Sequence, residues 1–162
     1  CMACLDGGFD YVFSLDSDVI PPPDTILRLL RHRVPIVSGI YCRRSPPAGV
    51  PVMMKPIGQW ITHYPQNSLI DVDVVGAGCL LVSRELLQRL PPQRTGKHWF
   101  DWRVDMKGSE GMPIEECLSE DFTFCTHCKK HGFPIKVDTS IMCKHIGYAE
   151  ATYASLQPLM HQ

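Results

Sequence analysis

The chain has 162 residues, 44% of them hydrophobic, which is enough apolar material for the core of one domain. Lys and Arg total 16 against 17 Asp and Glu, so there is no basic field for nucleic acid and no acidic tail. No run approaches the roughly 18 apolar residues of a membrane helix, and the start lacks the basic-then-apolar pattern of a signal peptide.

The pattern along the chain predicts strands and helices in alternation. Residues 11 to 15 (Tyr-Val-Phe-Ser-Leu) form a short apolar run without strict alternation, as expected of a strand covered on both faces. It ends in Asp16, Ser17 and Asp18, and Pro21 to Pro23 then block a regular ladder. A helix is expected from Asp24 to about Arg33, with Ile26, Leu27, Leu29 and Leu30 as its apolar stripe. Pro35 stops it, and Ile36 to Tyr41 read as the next strand. This strand, helix, strand order predicts a βαβ unit and a parallel sheet.

Residues 43 to 70 carry five prolines and read as irregular, with short strands around Val52 to Met54 and Gln59 to Thr62. Asp71 to Val75 alternate like a strand. Gly76, Ala77 and Gly78 form a tight segment, and Cys79 to Val82 resume a strand. Ser83 is placed to cap a helix running to about Leu90, ahead of Pro91 and Pro92. Residues 93 to 118 read as loop. Ser119 starts a second capped helix that carries Glu120 and Asp121 in its first turn and runs to about His131, with Gly132 as its stop. Ile135 to Val137 and Ile141 to Lys144 are expected as two short strands. The tail from Tyr148 has weak periodicity, and no linker divides residues 1 to 162 into two domains.

Eight cysteines permit four disulfides, but a chain with this much apolar material does not need them. Read as free thiols they point to a reducing, cytoplasmic setting, any membrane association being supplied by parts outside this sequence. Cys125 and Cys128 invite a zinc reading with His127, His131, Cys117 and Cys143. On one helix, however, His131 points roughly 240° from Cys125 at about 100° per residue. One helix therefore cannot supply three zinc ligands.

Four segments are candidates for chemistry. Asp16 and Asp18 share a face at i and i+2 beyond a strand end, where α/β sheets bind ligands. Two carboxylates there suit a hard divalent cation and diphosphate oxygens, and equally an Asx-turn. Gly76 to Gly78 allow a close approach of ligand to backbone, or simply a turn. Glu120 and Asp121 suit the helix dipole, which favours the ionised form a general base needs. His145, within Cys143, Lys144, His145, Ile146 and Gly147, follows a strand and precedes a glycine, so a loop could present it. Arg43 and Arg44 could meet an anion, with solvated surface charge the plainer account.

The ordered set of Phe13 to Asp18, Val75 to Gly78, Ser119 to Cys125, Val137 and Asp138, and Cys143 to Gly147 resembles the family 2 type of GT-A glycosyltransferases, over roughly residues 9 to 148. The resemblance implies a GT-A, Rossmann-like α/β fold: a mixed, mostly parallel sheet flanked by helices. It implies an inverting, metal-dependent transfer of sugar from a nucleotide-sugar donor, UDP- or GDP-linked, to a saccharide or other hydroxyl acceptor. Carried over by position, Asp18 and His145 resemble metal ligands for Mn²⁺ or Mg²⁺, with Asp16 at the metal shell or ribose. Lys144 would add positive charge near the diphosphate. Asp121 resembles the catalytic base with Glu120 as its acidic neighbour, and Gly76, Ala77 and Gly78 would lie beside the donor sugar and acceptor. Trp99 and Trp102 are candidates for a sugar-stacking wall, or for a loop-anchoring cluster, and Trp60 and Tyr64 share that ambiguity.

Only 15 residues precede Asp16, far fewer than the family places before this motif. The chain is therefore expected to be an incomplete domain, the acceptor- and metal-binding portion, inactive alone if the nucleotide-binding part is essential. Two other readings use the same residues: a different metal-dependent enzyme acting on a nucleotide or phosphate, and a zinc-stabilised interaction module without catalysis.

Overall fold

The computed structural model describes residues 1–44, 49–91, 99–100 and 119–147. A short helix α1 (Met2–Asp6) precedes β1 (Tyr11–Leu15) and β2 (Val19–Ile20). Helix α2 (Thr25–Arg31), β3 (Ile36–Ile40), β4 (Met53–Met54), β5 (Leu69–Val72), β6 (Val74–Val75) and β7 (Cys79–Ser83) follow. The order closes with α3 (Arg84–Arg89), α4 (Glu120–Lys130), β8 (Ile135–Met142) and β9 (Lys144–His145).

Five strands make the central sheet in the order β1-β7-β3-β8-β5. Only β3 and β8 run parallel; β1 with β7, β7 with β3, and β8 with β5 are antiparallel. The expected mixed sheet flanked by helices is present, but it is mostly antiparallel rather than mostly parallel. The reason is local. β7 inserts between β1 and β3, so the two strands joined through α2 keep a common direction without touching. A strand covered on both faces reads the same in either direction, and the apolar run at 79–82 carries no mark of its polarity.

Alternation along the strands fills both faces. Ile36, Ile40, Leu80, Val82, Ile135 and Val137 belong to one cluster, with Leu86 and Leu87 of α3 and Phe124, Cys125 and Cys128 of α4. Val37, Cys79, Leu81, Ile141 and Cys143 turn to the other face and meet Leu29 of α2. The sheet thus lies between α2 on one side and α1, α3 and α4 on the other. A fully buried Leu or Ile in such a layer contributes about 1.5–3 kcal/mol. Ser83 caps α3 as expected, its side chain accepting the Leu86 N–H at 3.1 Å.

Three boundaries differ from expectation. The run at 71–75 is two strands, because Asp73 donates its N–H to Met54 at 2.9 Å and the chain turns from β8 to β4. The two strands expected at 135–137 and 141–144 are one eight-residue β8. Its polar centre is satisfied in place: Asp138 accepts from Ser140 N–H and pairs with His32 at 2.8 Å, and Thr139 Oγ1 donates to Pro65 O at 2.7 Å. The β2–β9 ribbon, pairing Val19 with His145 and Ile20 with Lys144, was not foreseen. No helix among the described residues is long and apolar enough to cross a membrane.

The seven described cysteines are free thiols. Cys125 and Cys128 are wholly buried, and burial pushes the Cys125 thiol up to about 12. His127 and His131 instead face the surface, bonding to Pro91 O and to His127 O. Among the described residues these four side chains do not converge on a common point. Cys117 lies outside the described residues.

Candidate functional site

The strand directions explain why one sheet edge collects the chemistry. β1, β3 and β8 share a direction, so their carboxyl ends emerge on one edge. β7 runs the other way and begins at that edge, with Cys79 opposite Leu15. Asp16, Tyr41, His145 and the Gly76–Gly78 segment therefore meet there, and α4 starts beside them.

Gly76 to Gly78 form the hub. Asp16 N–H donates to Gly78 O at 3.2 Å, Gly78 N–H donates to Tyr41 Oη at 3.1 Å, and Ala77 N–H donates to Asp121 Oδ2 at 3.1 Å. Glycine is required at both ends of the hub. A Cβ on Gly76 would lie 1.9 Å from Tyr41 Oη, and one on Gly78 would lie 2.7 Å from Tyr41 Cζ and 2.9 Å from Asp16 Oδ2. The close approach is to Tyr41, a residue the sequence reading passed over. Its only sign there was its place as the last residue of an apolar strand, where an aromatic is unremarkable. Burial raises the Tyr41 hydroxyl far above the usual phenol range, and the charges of Asp121 and Asp16 add to this.

Asp121 is pushed up to about 6. Burial is the main cause; the Ala77 N–H opposes it, and the charges of Glu120 and Asp16 reinforce it. The helix N-terminus was expected to favour the ionised carboxylate, and here desolvation wins. A carboxyl with this affinity for protons is better matched to proton transfer near neutrality than an ordinary aspartate. Glu120 has a buried Oε2 with no hydrogen-bond partner among the described residues.

Asp18 and His145 form the second half. His145 Nε2 lies 3.4 Å from Asp18 Oδ1, and Arg44 Nη1 lies 2.7 Å from Asp18 Oδ2. Ile146 N–H donates to Asp18 O at 2.7 Å, so the β2–β9 ribbon fixes the pair. His145 Nδ1 lies 2.7 Å from Cys42 O. A carbonyl only accepts, so Nδ1 carries a proton and Nε2 is the ring nitrogen turned toward the carboxylate. The two halves touch through Tyr41, whose ring meets His145 edge-on at 5.4 Å.

A divalent cation fits this pair in donor type, since metal-bound histidine commonly donates its other ring N–H to a carbonyl. The protein supplies few ligands, however. Among the described residues no group of three or more His, Cys, Asp or Glu side chains converges as a metal cage. Asp16 stands with Gly78 and Tyr41 rather than in the Asp18–His145 pair. A hard cation here would complete its shell with water and ligand oxygens, as Mg²⁺ commonly does.

The other sequence candidates divide. Lys144 is exposed on the same ribbon. Trp99 is buried and donates Nε1–H to Leu90 O at 3.1 Å, so it anchors a loop instead of presenting a sugar-stacking face. Trp102 lies outside the described residues. Trp60 is half-buried beside Phe122, ring centroids 6.2 Å apart, with the Arg43 guanidinium 5.0 Å above its ring. It is the better stacking candidate of the tryptophans described.

No family model matches the chain, and no curated protein does. A solved structure similar to it is that of A197 from STIV, with a TM-score of 0.60 at 15% identity. The match covers 94% of this chain and 67% of that one. At this identity the likeness speaks for the fold alone.

Proposed function

We propose that the chain is the metal- and acceptor-binding portion of an inverting GT-A-type glycosyltransferase, which moves a sugar from a nucleotide diphosphate to a hydroxyl acceptor. The observation that carries the reading is the pairing of two carboxylate stations on one sheet edge. Asp121, tuned to about 6, stands at the Gly76–Gly78 hub, and Asp18 with His145 stands next to it across Tyr41.

Asp121 accepts the proton of the acceptor hydroxyl as its oxygen bonds to the anomeric carbon. The bond from that carbon to the diphosphate breaks on the opposite face, and the electron pair leaves with the nucleotide. Mn²⁺ or Mg²⁺ held by Asp18 and His145 would supply charge neutralisation for the departing diphosphate. Ala77 N–H keeps the Asp121 oxygen aimed, which leaves the other carboxylate oxygen for the proton. Gly76 and Gly78 leave the room that the Tyr41 ring and Asp16 occupy against the hub.

The alternative of another metal-dependent enzyme on a nucleotide or phosphate uses Asp18 and His145 but has no task for a base at Asp121. The test is to incubate the chain with Mn²⁺ and a panel of UDP- and GDP-linked sugars and to follow nucleotide release with and without saccharide acceptors. Asp121→Asn is expected to keep donor binding and to lower acceptor-dependent release by roughly 10²–10⁴-fold. Release at the parent rate would reassign the base and favour the alternative.

A further inference from the structure

We propose that Arg44 is a diphosphate-binding residue, a fixed second cation beside the Asp18–His145 pair. The inference rests on the transferase reading and adds to it a group that the sequence favoured as solvated surface charge. Arg44 follows β3 by four residues, and one end of its guanidinium is held by the protein. Nη1 lies 2.7 Å from Asp18 Oδ2 and 3.4 Å from Ile146 O.

The two oxygens of Asp18 have different neighbours. Oδ1 faces His145 Nε2, the position the transferase reading gives to the cation, and Oδ2 faces Arg44. A cation on the Oδ1 side therefore leaves the Arg44 contact intact. The guanidinium has five N–H groups in a planar fork, and among the described residues only Nη1 has partners. The others project from a side chain that is 50% exposed, next to an Asp18 that is 32% exposed.

Charge arithmetic points to the ligand. Within the Asp18–His145–Arg44 group the carboxylate and the guanidinium cancel, so a divalent cation beside His145 would give that group a net double positive charge, set against the carboxylates of Asp16 and Asp121 at the neighbouring hub. A diphosphate carries two or more negative charges on oxygens that a guanidinium can bind in bidentate fashion. Arg43 does not share the role, because its guanidinium lies over the Trp60 ring, 5.0 Å from the centroid.

The experiment measures binding of inorganic pyrophosphate, UDP and GDP to the chain by calorimetry, with and without Mn²⁺, for wild type, Arg44→Gln, Arg44→Lys and Arg43→Gln. Mn²⁺ affinity alone is read by electron paramagnetic resonance. Arg44→Gln is expected to weaken pyrophosphate and both nucleotides by roughly tenfold or more and to flatten their salt dependence, with Mn²⁺ affinity within about twofold of wild type. Arg44→Lys should recover part of the loss, since it keeps the charge but not the fork. Arg43→Gln should change neither.

Equal diphosphate affinity in wild type and Arg44→Gln overturns the inference while leaving the transferase reading standing. Tighter Mn²⁺ in Arg44→Gln with unchanged diphosphate affinity also overturns it, since Arg44 would then be a blocking group. No binding of pyrophosphate to the wild-type chain with Mn²⁺ also overturns the inference, and the transferase reading beneath it is judged separately by acceptor-dependent nucleotide release in Asp121→Asn.

Discussion

Replacing Asp121 by Asn tests the site through stability as well as activity. Burial holds the Asp121 proton in the folded chain up to about pH 6, whereas the unfolded chain releases it near the ordinary aspartate value of 3.8. A raised carboxyl pKa means that the stability present below the unfolded value is lost as the pH rises through the folded one. The difference of about two units corresponds to roughly 3 kcal/mol at 1.36 kcal/mol per unit. Asp121 is only partly buried, so about 1–3 kcal/mol is the reasonable expectation. Asn is neutral at every pH, and its carbonyl can still accept from Ala77 N–H. The variant should therefore be more stable than wild type by that amount at pH 7.5 and about equal to it at pH 4. Urea unfolding at the two pH values reads this directly. A variant that loses stability at pH 7.5, or gains the same amount at both, would refute the claim that burial strains the Asp121 carboxylate. Such a trade of stability for an ionisable group is common where the group has chemical work to do.

The other expectations follow from the same contacts. Gly76→Ala should destabilise by about 2–4 kcal/mol, because its Cβ would lie 1.9 Å from Tyr41 Oη. Tyr41→Phe alone should cost about 1–2 kcal/mol by stranding Gly78 N–H, and combined with Gly76→Ala it should cost less than the sum, as a double-mutant cycle by thermal unfolding will read. In a Cys117→Ser background a native thiol titration should modify Cys1 quickly and the other six cysteines only after unfolding, since they are buried and burial raises Cys42 to about 11 and Cys125 to about 12. Rapid modification of two or more would contradict the core packing. Burial alone would raise Asp138, but hydrogen bonds from Ser140 and His32 outweigh it and hold the carboxyl below its usual range. Its contribution is therefore present above the unfolded carboxylate range and lost as the pH falls. His32→Ala should cost about 1–2 kcal/mol near pH 6 and much less near pH 3, as denaturant titrations at both will measure.

The elements most legible in the sequence were those fixed by local chemistry. Ser83 caps a helix in any tertiary setting, and Pro35 ends one. The apolar runs at 36–40 and 79–82 are buried central strands, whereas 11–15, expected to be covered on both faces, is a half-buried edge strand with Leu15 exposed. What the sequence could not carry was nonlocal. The direction of β7, the continuity of β8 through three polar residues, and the β2–β9 ribbon all depend on partners distant in the chain: Leu15 for Cys79, His32 for Asp138, and Asp18 for Ile146. The candidate site splits along the same line. Asp16, Asp18, Asp121 and His145 announce themselves by residue type. Tyr41 and Arg44 do not, because a tyrosine ending a strand and an arginine before a loop are ordinary until something is found beside them.

The antiparallel direction of β7 brings the Gly76–Gly78 segment to the edge where Asp16, Tyr41 and His145 lie, and the reason is topological. A parallel strand offers its carboxyl end to the ligand edge of an α/β sheet, and an antiparallel strand offers its start. β7 reversed brings Gly76 to Gly78 to the same edge that β1, β3 and β8 reach with Asp16, Tyr41 and His145. Had β7 been parallel, its glycines would lie at the opposite edge, about 16 Å away for a five-residue strand at roughly 3.3 Å per residue. Neither Asp121 nor Tyr41 could then reach their N–H groups. The antiparallel insertion is thus what closes the acids, the phenol and the imidazole around one hub. A register shift of β7 by one residue would turn Cys79 and Leu81 to the opposite face and separate that hub from Asp16.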